Sequence, residues 1–227
     1  VSPPIENETE RGQKVLEALM NLPRPAILYS TEIKDVDNWY EFVTKQGFSN
    51  VEKVHGDTKS SEKESTVKKW KSGNLDLVVG NTAFGLGVNY QSARTVIHAC
   101  IPEDISRYYQ EIGRAGRDNE RSDTILFYGL QDIMKRQRMI FEGDGSEQHK
   151  LIEYKRLEAL VGYCETTACR RLALLSYFDE ATRICNNCDN SCFVEGWSMF
   201  PCSIASTNPA PMTSMTSIFL AKSSEVL

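Results

Sequence analysis

The 227-residue sequence lacks several features that would each indicate a class of protein. No apolar run approaches the roughly 20 residues of a membrane-spanning helix. The start, Val1-Ser-Pro-Pro-Ile, lacks the basic and apolar regions of a secretory signal. No glycine is followed by Lys-Ser or Lys-Thr at the spacing of a phosphate-binding loop, G-x-x-x-x-G-K-[ST]. Without a secretory signal or a membrane-spanning run, we expect an intracellular chain with no membrane partner, and the nucleus and a bacterial cytoplasm are both open.

The sequence also lacks the basic excess that is typical of dedicated nucleic-acid-binding proteins. It has 26 Lys and Arg residues but 31 Asp and Glu residues, which gives a formal net charge of -5. This balance argues against duplex binding by the whole surface, but it is compatible with a local basic groove. Hydrophobic residues make up 41% of the chain, so a sizeable core is expected. The length accommodates one large domain, or one ordinary domain and a small one.

Strand-like and helical patterns alternate through the first part of the chain. Short apolar runs predict strands at 26–30, 51–54, 75–79, 94–99 and 124–128. Apolar residues at helical spacing predict helices at 12–22, 35–47, 62–71, 104–115 and 133–141. This alternation predicts an α/β fold in which helices cover both faces of a parallel sheet. We expect Trp39, Trp70 and His98, which lie within these patterns, to be core residues.

The pattern breaks at Gly143-Asp-Gly-Ser146, where we place a domain boundary. The predicted organisation is a loose lead-in at 1–10, an α/β domain at 11–143, a helical subdomain at 144–196 and a tail at 197–227. Helices are predicted at about 147–163 and 168–178 within the subdomain. The tail is predicted to be poorly ordered, because its first part is uncharged and rich in Ser, Thr, Pro and Met without a steady period.

The segment Gln110-Glu-Ile-Gly113-Arg114-Ala-Gly116-Arg117-Asp118 carries residues suited to phosphate. Two arginines three apart lie on one side of a helical turn, and the two glycines leave that surface bare. Guanidinium groups suit phosphate because they stay charged and donate in a fixed fork. A solvated helix end explains Gly-Arg-Ala-Gly-Arg equally well by itself, but its place in an alternating domain favours phosphate. Tyr108 and Tyr109 precede it, and we favour helix packing over base stacking for both.

Four of the seven cysteines crowd into 24 residues, at Cys169, Cys185, Cys188 and Cys192. A C-x₂-C pair forms a tight turn that presents two thiolates to one ion, and two further thiolates complete a closed tetrahedral site. We predict a structural Zn²⁺ site, with an iron–sulfur cluster or four unrelated reduced cysteines as alternatives. We expect Cys100 and Cys164, the two cysteines that precede this group, to be packing residues.

These motifs together resemble those of the RecQ family of superfamily 2 DNA helicases. Residues 110–118 resemble motif VI, and Val79-Gly-Asn-Thr82-Ala-Phe-Gly85-Leu-Gly87-Val-Asn89 resembles the RecQ form of motif V. Residues 26–31 stand where the family has motif IV, and His55-Gly56 resembles its histidine–glycine region. The order and spacing of all four agree with the family. The resemblance covers about residues 12–192.

The cysteine region resembles the RecQ zinc-binding subdomain. The matching features are Cys169-Arg-Arg, the stretch Leu174–Phe178, and Cys185-x-x-Cys188-Asp. The usual bacterial form has two residues between its last two cysteines, whereas this chain has three. Cys202 is therefore the alternative to Cys192 as fourth ligand.

The resemblance implies a second RecA-like lobe followed by a zinc-binding subdomain, both within an ATP-dependent 3′→5′ DNA helicase of repair or recombination. Arg114 and Arg117 would then reach the nucleotide γ-phosphate across a cleft that Gln110 helps to organise. Gly87 and Asn89 would lie near the nucleotide. ATP and Mg²⁺ would be bound only together with a first RecA-like lobe of the same protein. We therefore expect this chain alone to hydrolyse ATP negligibly.

The expected macromolecular partner is DNA, as a single strand or a strand junction. By resemblance, Thr82 would lie near the phosphates of the tracked strand. Arg170 and Arg171 either touch DNA or pair with Asp179 or Glu180. One alternative function is a non-catalytic DNA-binding or partner-docking module that keeps the fold, which the acidic charge mildly favours. An RNA helicase or a remodelling ATPase shares the second lobe, but the zinc pattern argues against both.

Overall fold

A computed structural model of the chain describes residues 4–84, 93–118, 120–185, 188–190 and 216–222. The elements in chain order are α1 (Pro4–Asn21), β1 (Ala26–Tyr29), α2 (Ile33–Lys45), β2 (Val51–Val54), α3 (Ser60–Lys71), β3 (Leu77–Gly80), β4 (Thr95–His98), α4 (Ile105–Ile112), β5 (Ser122–Tyr128), α5 (Leu130–Glu142), α6 (Glu147–Glu165), α7 (Arg170–Ser176) and β6 (Thr216–Lys222). None of the helices in these ranges combines the length and the apolar character that crossing a membrane requires.

The strands form one sheet with the order β2-β3-β1-β4-β5-β6. The first five strands are parallel, and in the centre Ala26 of β1 lies between Leu77 of β3 and Thr95 of β4. Every residue of β1, β3, β4 and β5 is buried. Such complete burial is expected of a parallel sheet with both faces covered. The α/β fold predicted from the sequence is confirmed.

Alternate residues of each strand enter different cores, because successive side chains point to opposite faces of a sheet. Leu28 packs in a core with residues of α1 and α2, and Trp39 packs partly buried against it. Ile27 packs on the other face with Trp70 of α3, which is 1% exposed. Both tryptophans are therefore packing residues, as predicted.

A third core joins α4 and β5 to the three helices that follow. It contains Tyr108 of α4, Leu126 of β5, Leu160 of α6 and Leu174 of α7, together with Cys188. The helical subdomain therefore shares its core with the sheet domain, across the boundary that we predicted near residues 143–147. The boundary itself stays a prediction.

Two elements differ from the sequence expectations. The helix α1 begins at Pro4, within the predicted lead-in. Proline is tolerated in the first turn because the N–H that it lacks would be unpaired there in any case. The strand β6 lies in the predicted poorly ordered tail and pairs antiparallel with β5, with Thr216 opposite Tyr128. The open edge of β5 supplies the hydrogen-bonding partner, which the tail sequence alone does not reveal.

Candidate functional site

The arginine segment lies in a turn that follows α4. The helix ends at Ile112, and the N–H of Arg114 then donates to the carbonyl of Glu111 at 3.2 Å. Ala115 forms an isolated parallel bridge with Ala93. The sequence predicted a helix as far as residue 115, and it placed the two arginines, three residues apart, on one side of a helical turn. That prediction is wrong, because pairing with Ala93, two residues before β4, replaces the next helical turn.

Gly116 closes this turn. Its φ is +63°, a left-handed conformation that favours glycine. A Cβ at this position would lie 2.5 Å from the Ser122 hydroxyl and 3.0 Å from the Glu120 carbonyl. Gly116 therefore packs against the start of β5, and its role differs from the bare phosphate-facing surface that the sequence predicted.

The two guanidinium groups lack acidic partners within the part of the chain that the structure describes. Arg117 is exposed, and its Nε donates to the Gly113 carbonyl at 3.0 Å. Arg114 is half-buried, and its Nε has no hydrogen-bond partner among the described residues. Gln110 is exposed on the last turn of α4. Two cations without a neutralising carboxylate are well suited to an anionic group from outside the chain.

An ion pair anchors the end of this segment. Arg94, just before β4, donates to both carboxylate oxygens of Asp118 at 2.5 Å. The Arg94 guanidinium holds the pKa of the Asp118 carboxyl below its usual value, chiefly through these hydrogen bonds. The segment is thus tied to α4 at one end and to the start of β4 at the other.

A small cleft opens at the carboxyl ends of the parallel strands. Its lining residues are Tyr29, Ser30, Thr31, Thr82, His98, Cys100, Pro102, Glu103, Arg107 and Glu111. This edge is where open α/β sheets bind their ligands. Cys100 was expected to be a core residue, but it is half-buried on the cleft wall, with the hydroxyls of Ser30 and Thr31 at 3.7 and 3.6 Å. Strand β4 ends at His98, so Cys100 lies beyond the buried strand.

Three of the predicted metal ligands come together. The Sγ of Cys169, at the start of α7, lies 3.4 Å from that of Cys185 and 4.0 Å from that of Cys188. Tetrahedral zinc with Zn–S bonds of about 2.3 Å requires sulfur–sulfur distances of about 3.8 Å. The N–H of Cys185 donates to the sulfur of Cys169, and that of Arg170 to the sulfur of Cys188, both at 3.3 Å. The donor set therefore fits Zn²⁺.

Two family models match the chain in succession. The helicase conserved C-terminal domain matches residues 11–119, and the RecQ zinc-binding model matches residues 130–192. The chain belongs to the RecQ helicase family. The family resemblance of the sequence is thereby confirmed, and the zinc-binding match and the three clustered thiols agree in indicating zinc.

Relatives of known name support this membership. The ATP-dependent DNA helicase RecQ of Haemophilus influenzae is 33% identical over 193 residues, which are 82% of this chain and 31% of that protein. The RecQ of Pasteurella multocida is 34% identical over 73% of this chain and 26% of its own length. This RecQ-family chain therefore spans about a third or less of the curated relatives that it matches. A crystal structure of a DEAD box protein from Methanococcus jannaschii shares the fold, with a TM-score of 0.51 and 21% identity over 60% of this chain and 37% of that one.

Several predicted site residues of this RecQ-family chain lie outside the described residues. They are Gly87 and Asn89 of the motif V region, Cys192, and its alternative Cys202. Thr82 lies in the cleft, and its contact with a strand phosphate stays a prediction. Cys164 is buried in α6 and belongs to the core, as predicted for a packing cysteine.

Arg170 is a buried structural residue of the zinc-binding region. It is 6% exposed and pairs with Asp189 at 3.1 Å. Its Nη1 also donates to the carbonyls of Tyr163 at 2.7 Å and Cys164 at 3.0 Å. Both carbonyls lie at the carboxyl end of α6. Of the two roles open for Arg170, these contacts favour ion pairing over DNA contact. The partner is Asp189 rather than Asp179 or Glu180, and it is the aspartate that ends the Cys-x-x-Cys-Asp pattern of the sequence.

Glu111 is the second residue that the sequence analysis missed. It lies inside the motif VI pattern, is 5% exposed, and its Oε2 lies 2.9 Å from Nε2 of His98. This contact confirms His98 as a core histidine with a hydrogen-bonding partner. Tyr108 is fully buried, and Tyr109 packs against Phe178, so both tyrosines are packing residues, as favoured.

Proposed function

We propose that this chain is the second RecA-like lobe and zinc-binding subdomain of an ATP-dependent 3′→5′ DNA helicase, acting inside the cell in DNA repair or recombination. The observation that carries the proposal is the pair of arginines, Arg114 and Arg117, held in an anchored turn without an acidic partner among the described residues. The names of the curated relatives, ATP-dependent DNA helicases, support the reaction class. ATP, Mg²⁺ and the first lobe would belong to the whole protein.

The arginines would act on a nucleotide that the first lobe presents. ATP with Mg²⁺ supplies the phosphoryl group when the two lobes close. Arg114 and Arg117 would then donate to the γ-phosphate oxygens and stabilise the charge that develops there, an effect worth about 10³–10⁵ in rate where an arginine acts in this way. Gln110 would organise the rim of the cleft between the lobes. The backbone near Gly87 and Asn89 would lie along the nucleotide.

The cleft at the carboxyl edge would contact the tracked strand. Hydroxyls of Ser30, Thr31 and Thr82 can donate to phosphate oxygens. Arg107 also lines the cleft, where it pairs with Glu103 at 3.6 Å. Such a local site would allow an acidic chain to bind a single strand or a junction through backbone contacts. Arg171, which is half-buried on α7, is a further candidate contact.

The zinc site would be structural. Cys169, Cys185 and Cys188, with Cys192 or Cys202 as fourth ligand, would enclose the ion. A closed four-thiolate site leaves no open position for water, so the metal supplies folding free energy rather than chemistry.

Substitution of the arginines in the full-length protein tests the proposal. Arg114→Ala and Arg117→Ala should each lower DNA-stimulated ATP hydrolysis by about 10³-fold or more, because the developing charge loses its partner. Circular dichroism and the affinity for ATP should stay close to wild type. Arg156→Ala is the matched control, because Arg156 is an exposed arginine of α6 that pairs with Glu153 at 2.7 Å. Undiminished hydrolysis by both arginine variants would instead support a non-catalytic module.

A further inference from the structure

The cysteine cluster consists of Cys169, Cys185 and Cys188. It shares one core with α4, the helix that precedes the arginine turn at residues 113–117. Cys169 and Cys188 are buried in the same cluster as Ile105 and Tyr108 of α4. On the outer side of α4, Tyr109 packs against Phe178, which follows α7, with 5.0 Å between ring centroids. The cysteines therefore share a core with Tyr108 of α4, and the segment after α7 contacts the adjacent Tyr109.

A line of side-chain contacts runs through this core. Arg170, next to the metal ligand Cys169, lies over the ring of Tyr163 at 5.8 Å. The Tyr163 ring lies 5.5 Å from that of Tyr108, and the Tyr108 ring lies 5.1 Å from the imidazole of His98. All four side chains are at most 6% exposed. Protein interiors are close-packed, so a shift at one end of such a line is felt by the next residue.

The line continues to the arginine turn. His98 contacts the carboxylate of Glu111 at 2.9 Å, and the carbonyl of Glu111 accepts the N–H of Arg114 at 3.2 Å. Glu111 therefore holds α4 against β4 with its side chain and begins the arginine turn with its backbone. Glu111 is one of the three buried residues of α4, with Ile105 and Tyr108.

We propose that Tyr163 is a positioning residue that couples the cysteine cluster to Arg114. The ordered cluster holds Arg170 against Tyr163, because the N–H of Arg170 donates to the sulfur of Cys188 and its guanidinium to Asp189. Tyr163 in turn holds Tyr108 and α4. Loss of the metal should therefore loosen α4 and the arginine turn. The consequence for catalysis rests on the proposed function, but the physical coupling does not.

Hydrogen exchange in the full-length protein tests this coupling without requiring turnover. Amide exchange over residues 105–115 is measured with zinc bound and after zinc withdrawal by a chelator. In the wild type, withdrawal should raise exchange there by about 2- to 30-fold, the range that coupling residues typically contribute. In Tyr163→Leu, exchange over residues 105–115 should already be raised with zinc bound, and withdrawal should add little. Tyr154→Leu is the matched control, because Tyr154 is a tyrosine of the same helix that is only half-buried against this core, with its ring in contact with Phe141.

Three outcomes would overturn the proposal. The first is unchanged exchange over residues 105–115 when zinc is withdrawn from the wild type. This result would refute the coupling even if Tyr163→Leu does not fold. The second is an equal rise in β1 and β3, since that reports general unfolding. The third is a Tyr163→Leu variant with wild-type exchange. If hydrolysis is measurable, Tyr163→Leu should lower kcat more than it raises KM. Failure of the proposed function would be seen in a different measurement, as ATP hydrolysis by Arg114→Ala at the wild-type rate.

Discussion

Replacement of Arg170 by alanine separates a structural role from a DNA-binding role. The side chain makes an ion pair with Asp189 and caps two carbonyls at the end of α6, those of Tyr163 and Cys164. The last carbonyls of a helix have no partner within the helix, so an arginine that reaches them satisfies groups that burial would otherwise leave unpaired. Arg170→Ala removes all of these contacts at once.

The expected loss of stability follows from these contacts. Removing one partner of a buried ion pair costs about 3–5 kcal/mol, and each buried group left unpaired costs about 1–3 kcal/mol. The Asp189 side chain is 24% exposed, so water recovers part of the loss. We therefore expect Arg170→Ala to lower the free energy of unfolding by about 3–4 kcal/mol. Arg170→Lys should recover only part of it, because an ammonium group cannot reproduce the fork of donors.

Urea denaturation of the zinc-loaded 227-residue chain, followed by circular dichroism, measures this loss. Arg171→Ala serves as the control, because Arg171 is the neighbouring arginine but is only half-buried, and its replacement should stay within about 0.5–1 kcal/mol of wild type. The reasoning is refuted if Arg170→Ala unfolds within about 0.5 kcal/mol of wild type while DNA affinity falls, since that combination identifies a DNA contact.

Two further substitutions test the turn and the sheet. Gly116→Ala should destabilise the chain by about 1–3 kcal/mol through its left-handed conformation, with added crowding against Ser122; a variant as stable as wild type in thermal denaturation would contradict the turn geometry. Trp70→Ala should cost about 3–5 kcal/mol, because the ring is 1% exposed between α3 and the sheet. A loss below about 1 kcal/mol in urea denaturation would contradict its assignment to the core.

The regular part of the fold could be predicted from periodicity. The apolar runs gave the five parallel strands, and the helical spacing gave the helices between them, because both patterns are local. The strand order β2-β3-β1-β4-β5 could not be predicted from these local patterns, since it depends on contacts between distant segments. Alternation predicts that strands are parallel, but not which strands are neighbours.

The candidate site shows the same division between local and distant contacts. Cys169, Cys185 and Cys188 were predicted as a group because metal ligands follow a spacing rule, and the structure brings their sulfurs together. Asp189 and Glu111 were missed as partners of Arg170 and His98, since each pair joins separate elements. The arginine turn was predicted as helix because pairing of Ala115 with Ala93 leaves no mark in the local sequence.

The core around α4 is continuous with that of the zinc-binding region, so loss of the metal is expected to affect the sheet domain as well. A subdomain attached only by a linker could lose its metal without affecting the sheet. Here Cys188 lies in the same core as Tyr108, which is three residues from Glu111 and six from Arg114. Because that core is shared, the free energy of metal binding would stabilise α4 as well as the cysteine cluster. Zinc binding and the placement of Arg114 are therefore expected to be linked properties of one folded unit.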